Sequence, residues 1–177
     1  MTLTEFKKRI EPPCTRLGGL LKSLDLTEVR PFVCDGSPFC EVFVVGYNPA
    51  TPMPGSFWGF WDPLMGFDYS RWLTDYGIAR LAAGKKRSSH ARKILDVVRR
   101  TAGNTLEANL YPIPTYPTEA FLDAMAALHA QAQEIIRQHL AHLGADRCLL
   151  MKFNRRFRPS SLLAELIAQH TAVGPEI

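Results

Sequence analysis

No stretch of this chain approaches the run of about eighteen apolar residues that a bilayer-spanning helix needs. The opening residues MTLTEFKKRIEPP carry no apolar core of the kind a secretory leader has. The sequence therefore predicts no membrane partner, no leader and a cytoplasmic location. Cysteine is scarce as well. Cys14, Cys34, Cys40 and Cys148 form no Cys-x-x-Cys pair, and no histidine stands near Cys34 and Cys40 at metal-ligand spacing. Reduced, partly buried thiols are expected, and neither a metal nor an organic cofactor. His90, His129, His139, His142 and His170 fall in or beside expected helices and read as surface or packing residues. The chain has no internal repeat and no low-complexity segment. It also lacks a strong charge of either sign. With 21 Lys and Arg against 17 Asp and Glu, the net charge is +4, which is compatible with a polyanionic partner but does not demand one.

What is present suits a globular protein. A chain of 177 residues fits one domain spanning 1–177, expected as a monomer, and 46% hydrophobic against 21% charged residues is ordinary usage. Residues 2–24 read as two short helices separated by Pro12-Pro13. Pro31–Phe39 reads as a loop. Glu41-Val42-Phe43-Val44-Val45 is a short run apolar on both faces, as in a central parallel strand, and it stops at Gly46. Further helices are expected over 68–82 and from Ser88 or Ser89 through Ile94, Val97 and Val98. Thr105–Tyr111 and Cys148–Met151 read as strands, 118–142 as a long helix stopped by Gly144, and Ser160–Gln169 as a final helix behind Pro159. Strands alternating with helices predict an α/β fold: three-layer α/β/α, with a mostly parallel central sheet of about four strands.

In such sheets ligands bind beyond the carboxyl ends of the strands. Three loops should gather there. The first, 46–67, opens Gly46-Tyr47-Asn48-Pro49 and carries Phe57, Trp58, Phe60, Trp61 and Phe67. Gly46 allows a sharp exit from the strand or close approach to the backbone. Asn48 offers one acceptor and one donor on a short stem. The rings either close one end of the core or offer faces to a nucleobase, where stacking is worth about 1–3 kcal/mol per base. The second loop holds Asn109, whose amide either pairs with the imide edge of a uracil-like base or makes a local turn bond. The third, Asn154-Arg155-Arg156-Phe157-Arg158-Pro159-Ser160-Ser161, joins guanidinium forks to a helix start. It reads as a phosphate contact or as a solvated basic loop. Lys85–Lys93, the densest basic run, either touches DNA or solvates a helix start.

Together these loops resemble the uracil-DNA glycosylase superfamily, over roughly residues 40–170. Gly46-Tyr47-Asn48-Pro49 has the shape of its first motif, Gly-x-Asp/Asn-Pro at a strand end. The Asn form is similar to the mismatch-specific and single-strand-selective branches. Asn109-Leu110-Tyr111-Pro112 stands where the family has its base-recognising Asn. Arg158-Pro159-Ser160-Ser161-Leu162 keeps the Pro-Ser-x-Leu part of the last motif, with Arg158 where the family usually has His or Asn. The paired cysteines of the iron–sulfur members are missing.

The resemblance implies a DNA glycosylase of base excision repair, a hydrolase that flips uracil or a related deaminated base out of single- or double-stranded DNA and cuts its glycosidic bond. It implies Asn48 orienting water and Arg158 facing the leaving base as catalytic residues. Gly46, Tyr47, Phe57, Trp58 and Asn109 would line the base pocket, and Arg155, Arg156, Pro159, Ser160 and Ser161 would hold phosphate. No cofactor is implied. Two alternatives stay open from the residues alone: a member that binds nucleic acid or a modified base without cleavage, and an unrelated α/β nucleotide-processing enzyme.

Overall fold

The run Val42-Phe43-Val44-Val45 buries every one of its side chains. A strand does this only when both faces of its sheet are covered. In the computed structural model, which describes residues 1–22, 28–40, 42–46, 49, 51–109, 111–114, 134–139 and 148–150, this strand is the middle of a three-stranded sheet. In chain order the elements are α1 (Leu3–Leu21), β1 (Val42–Gly46), a 3-10 turn (Phe57–Phe60), β2 (Trp61–Asp62), β3 (Gly66–Phe67), α2 (Tyr69–Ala82), α3 (His90–Ala102), β4 (Thr105–Asn109) and β5 (Cys148–Leu150). Residues 134–139 are helical.

The sheet order is β4-β1-β5, and both pairings are parallel. Val42 lies opposite Thr105, Val44 opposite Glu107 and Gly46 opposite Asn109, while Phe43 lies opposite Leu106 and Val45 opposite Ala108. Side chains alternate across a strand, so the two sets face opposite ways. Val42 and Val44 pack with Leu95 and Val98 of α3. Phe43, Val45, Leu106 and Ala108 join the main core with Phe6, Ile10 and Leu17 of α1 and with Ile135 and Ile136. The fold is therefore mixed α/β around a small parallel sheet.

Two expectations need correction and one needs refinement. The first concerns Pro12 and Pro13, which do not divide α1: one helix runs through both. Two helical hydrogen bonds are lost, a cost of about 3 kcal/mol or more for each proline. A continuous buried stripe of Phe6, Ile10, Pro13, Cys14, Leu17 and Leu21 offsets this. The start of α1 is fixed by a capping box. Thr2 Oγ1 accepts from Glu5 N at 3.2 Å, and Glu5 Oε2 accepts from Thr2 N at 2.6 Å.

The refinement concerns 31–39, a loop as expected, which makes two isolated bridges. Val33 pairs antiparallel with Glu107 along the outer edge of β4, through N–H···O bonds of 2.8 Å in both directions. That edge is thus covered rather than open.

The second correction concerns 46–67, expected as one long loop. Its second half is the 3-10 turn followed by the antiparallel pair β2–β3. The pair is closed at its tip by Asp62 Oδ1, which accepts from Leu64 N at 2.7 Å and Met65 N at 2.8 Å. Phe57, Phe60, Trp61 and Phe67 enter the core. Phe32 is their hub, with edge contacts to Phe6, Phe57, Trp58, Trp61 and Phe67 at 5.0–6.1 Å between centroids.

The remaining expected elements stand close to where the periodicity put them. Asp68 caps α2 and Ser89 caps α3 through side-chain bonds to Arg71 N and Arg92 N, both 3.0 Å. Of the expected helix 118–142 only 134–139 is described, and it is helical. The expected final helix at 160–169 lies outside the described residues.

Candidate functional site

Parallel pairing brings the ends of β1 and β4 side by side, and there Gly46 and Asn109 are register partners. Gly46 does not adopt a left-handed backbone conformation. Its glycine answers a different need. A Cβ built on it would meet Asn109 Oδ1 at 2.6 Å and Asn109 Cγ at 3.6 Å. The Asn109 amide therefore lies across the end of β1, in space that any side chain at position 46 would occupy. Both residues are half-buried, so the amide sits at the rim of the sheet. Close approach by Asn109 is a reason for glycine there.

Pro49 and Met53 are buried, and Thr51 has no exposed surface. Thr51 is gripped from two sides. Its carbonyl oxygen accepts from Arg30 Nη2 at 2.9 Å. Its hydroxyl accepts from Arg80 Nη1 at 3.3 Å and from Lys85 Nζ at 3.5 Å. Glu28 holds Arg30 through its Oε1, which accepts from Nε at 2.9 Å and also from Nη2. The other oxygen of Glu28 accepts from Met53 N at 2.5 Å. The backbone of Arg30 donates to Pro112 O at 2.7 Å. Segment 28–30 thus bonds to both the first loop and the second.

These cations are deep. Arg30 is 4% exposed and Arg80 7%. Their guanidinium planes lie near the α2 rings: Arg30 is 5.7 Å from Trp72 and 5.6 Å from Tyr76, and Arg80 is 5.8 Å from Tyr76. Trp72 and Tyr76 are themselves stacked at 5.0 Å.

A second ionic group lies on the α3-facing side of β4, two residues before Asn109. Arg92 Nη1 reaches both oxygens of Glu107 at 2.7 and 2.8 Å, and Arg99 Nη2 reaches Oε1 at 2.5 Å. Burial works against the charge on Arg92. The Glu107 carboxylate, helped by Tyr69 and Tyr76, offsets it, and the net effect is a raised pKa. Arg92 also lies 4.9 Å from Trp72, and Arg99 3.9 Å from Tyr69. From the basic run 85–93, then, Lys85 and Arg92 are tied into the interior, and Ser89 caps α3.

The residues singled out by sequence divide into three sets. Gly46 and Asn109 are brought together. Phe57 and Trp58 belong to the aromatic cluster around Phe32. Phe57 is buried with its face stacked on Phe67 at 5.3 Å, and Trp58 is half-buried beneath Lys7 Nζ at 5.2 Å. Tyr47, Asn48, Arg155, Arg156, Arg158, Pro159, Ser160 and Ser161 lie outside the described residues. Of the histidines, His90 is exposed at the start of α3. His139 is packed among Phe6, Phe32 and Phe43, with Nε2 3.1 Å from Pro31 O.

Sequence reading missed Glu28, Arg30, Thr51, Arg80 and Glu107. A signal existed for two of them. Arg30 stands inside the apolar run Val29–Val33, and Glu107 stands inside a strand between Leu106 and Ala108. A charge in such a setting requires a buried partner.

A shallow groove of about 590 Å³ lies between Pro52 and Pro54 on one side and Ile78, Ala79, Ala82 and Ala83 on the other, with Asp75 as its lone charge. It does not include Gly46 or Asn109. Among the described residues, no group of three or more His, Cys, Asp or Glu is placed to hold a metal, and no helix is long and apolar enough to cross a membrane. Comparison with protein-family models, with curated proteins and with solved structures finds no match.

Proposed function

We propose that this protein is a DNA glycosylase of the uracil-DNA glycosylase type, hydrolysing the bond between C1′ and the base nitrogen of uracil or a related deaminated base. The observation that carries this reading is the pairing of Gly46 with Asn109 at the carboxyl edge of the sheet, with the Asn109 amide laid across the glycine. An amide held at a strand end presents a donor and an acceptor together, which is what the imide edge of uracil requires.

In this reading the base is flipped into the crevice beyond β1 and β4, and Asn109 reads its edge beside Gly46 and Tyr47. Asn48, two residues past Gly46, orients the water that adds to C1′, because an amide cannot serve as general base. The bonding pair leaves with the base as an anion, Arg158 supplies the positive charge facing it, and the proton released by the added water passes to that anion or to solvent. Arg155, Arg156 and the Pro159-Ser160-Ser161 helix start hold phosphate. Trp58 keeps some exposed surface for a base, whereas the face of Phe57 is taken by Phe67. The finer architecture belongs to the same proposal: a three-layer α/β/α domain with about four strands, monomeric and cytoplasmic, with DNA as its partner. The reaction needs no cofactor.

The test is incubation with uracil-, hypoxanthine- and xanthine-containing oligonucleotides, single- and double-stranded, followed by alkaline scission of abasic sites. Scission that disappears in Asn48→Ala and Asn109→Ala supports the reading. Arg158, standing where the resemblance expects His or Asn, motivates one second reading, a protein that binds the modified base without cutting. Salt-sensitive binding without scission would favour that reading. If there is neither binding nor scission, both fall.

A further inference from the structure

Two loops that depart from different strands ordinarily move independently, since connecting segments carry few buried contacts. Here a third segment ties them together. Arg30 donates from its backbone to Pro112 O at 2.7 Å and from its side chain to Thr51 O at 2.9 Å. The same residue is anchored to the sheet through Val33, which pairs with Glu107. Glu28 fixes the guanidinium and takes Met53 N at 2.5 Å with its free oxygen. Arg80 and Lys85 hold the hydroxyl of Thr51 from the opposite side.

Bulk stability does not call for this arrangement. A buried ion pair gains little over apolar residues of equal volume, because desolvation consumes most of the attraction. Charged, forked hydrogen bonds do supply direction: they fix a backbone carbonyl in angle as well as distance.

We propose that Arg30 is a positioning residue that couples the segment after β1 to the segment after β4 and so fixes the separation of the two halves of the site. Thr51 and Met53 are held to Pro112 through Arg30 and its partner Glu28, and Gly46 and Asn109 stand five and three residues before the first attachment points, Thr51 and Pro112. For the proposed excision reaction the consequence is that the segments following Gly46 and Asn109 keep a constant spacing. That consequence rests on the glycosylase reading, whereas the mechanical coupling does not.

Arg30→Lys tests it, because a lysine keeps the charge but loses the fork to Glu28 and Thr51, and with it the anchor that seats the backbone of residue 30 against Pro112 O. The first measurement is amide hydrogen exchange by mass spectrometry. Peptides spanning 46–54 and 109–114 should both exchange at least tenfold faster, while those in α1 and α3 stay protected. Loosening of 46–54 alone, of neither segment, or of every peptide uniformly overturns the coupling. Should Arg30→Lys fail to fold, Glu28→Gln keeps the shape and removes the charge that holds Arg30. It should give the same paired pattern at smaller amplitude, and the same outcomes overturn the proposal. The second measurement is single-turnover excision. Arg30→Lys should slow it by about 10–100-fold with substrate affinity changed less than threefold, as expected when geometry rather than binding is lost. If the parent protein excises no base, the glycosylase reading fails, and the exchange experiment still decides the coupling by itself.

Discussion

Replacing Gly46 by alanine should separate what the fold needs from what the site needs. The backbone at Gly46 is not left-handed, so alanine meets no conformational penalty there. In a strand it gains about 0.5–1 kcal/mol over glycine through the unfolded chain. The new methyl, however, would lie 2.6 Å from Asn109 Oδ1, against an ordinary contact of at least 3.4 Å. The amide must retreat by about 0.8 Å. Since the atom met is the end of a side chain, rotation of Asn109 relieves most of the clash, and the overpacking cost falls at the low end of about 1–3 kcal/mol. Net stability should then change by about 1 kcal/mol or less, a melting shift of a few degrees.

Activity should respond much more strongly than stability. A base-reading group displaced by most of an ångström costs about 10–100-fold in rate. The decisive comparison is a double-mutant cycle of Gly46→Ala with Asn109→Ala, followed by urea unfolding and by single-turnover excision. If the damage passes through Asn109, the double variant excises no more slowly than Asn109→Ala alone, and removing the amide relieves the stability cost of the methyl. Excision by Gly46→Ala within twofold of the parent, with Asn109→Ala inactive, would refute the argument. It would mean that the amide reads the base from a position the methyl does not disturb.

Other perturbations give equally definite outcomes. Glu107→Gln leaves Arg92 and Arg99 buried beside a neutral amide and should cost about 3–5 kcal/mol in urea unfolding; a loss below 1 kcal/mol would mean the guanidiniums find other partners. Burial pushes the Tyr69 phenol up to about 12 from 10.0. Arg92 nearby opposes this, and the bond to Asp96 adds to it. The unfolded phenol ionises first, so its contribution to stability is intact below pH 10 and is lost as pH rises toward 12. Melting temperature should therefore fall more steeply across that window in the parent than in Tyr69→Phe, and parallel curves would count against the burial of Tyr69. Phe57→Leu should lower stability by about 1–3 kcal/mol and leave oligonucleotide affinity unchanged, as befits a ring already stacked on Phe67; weakened binding with unchanged stability would return Phe57 to the base pocket.

Where local signals agreed with burial, the sequence was a good guide to the fold. Val42–Val45 could only be an inner strand, and Asp68 and Ser89 stood where helix caps belong. It misled where a local rule was outweighed by packing. Pro12-Pro13 reads as a break because two bonds must be lost, but the apolar stripe of α1 continues through both residues at helical spacing, and burial of six side chains decides the matter. The aromatic segment after Gly46 reads as a ligand loop because its prolines and rings are dense. Yet Phe57, Trp61 and Phe67 gather around Phe32, a residue some 25 or more positions earlier, and no window of sequence shows that meeting.

The site divides along the same line. Gly46 and Asn109 were legible because parallel strands place their ends together whatever the side chains are, and an amide at a strand end must be satisfied or used. The network around Thr51 was not, although its residues are as ordinary as any in the chain. Glu28 and Arg30 come from one region, Arg80 and Lys85 from another and Thr51 from a third, and all the charges but Arg30 look like surface charges until their partners are known. Net charge gave no warning either, because buried guanidiniums count the same as solvated ones. The one local clue was Arg30 itself, a cation inside an apolar run. Burying it without a partner would cost more than the stability of most domains, so its presence implied a carboxylate or a carbonyl waiting for it. Followed forward, that clue leads from Arg30 to Glu28, Thr51 and Pro112, and hence to the two loops on which the proposed chemistry depends.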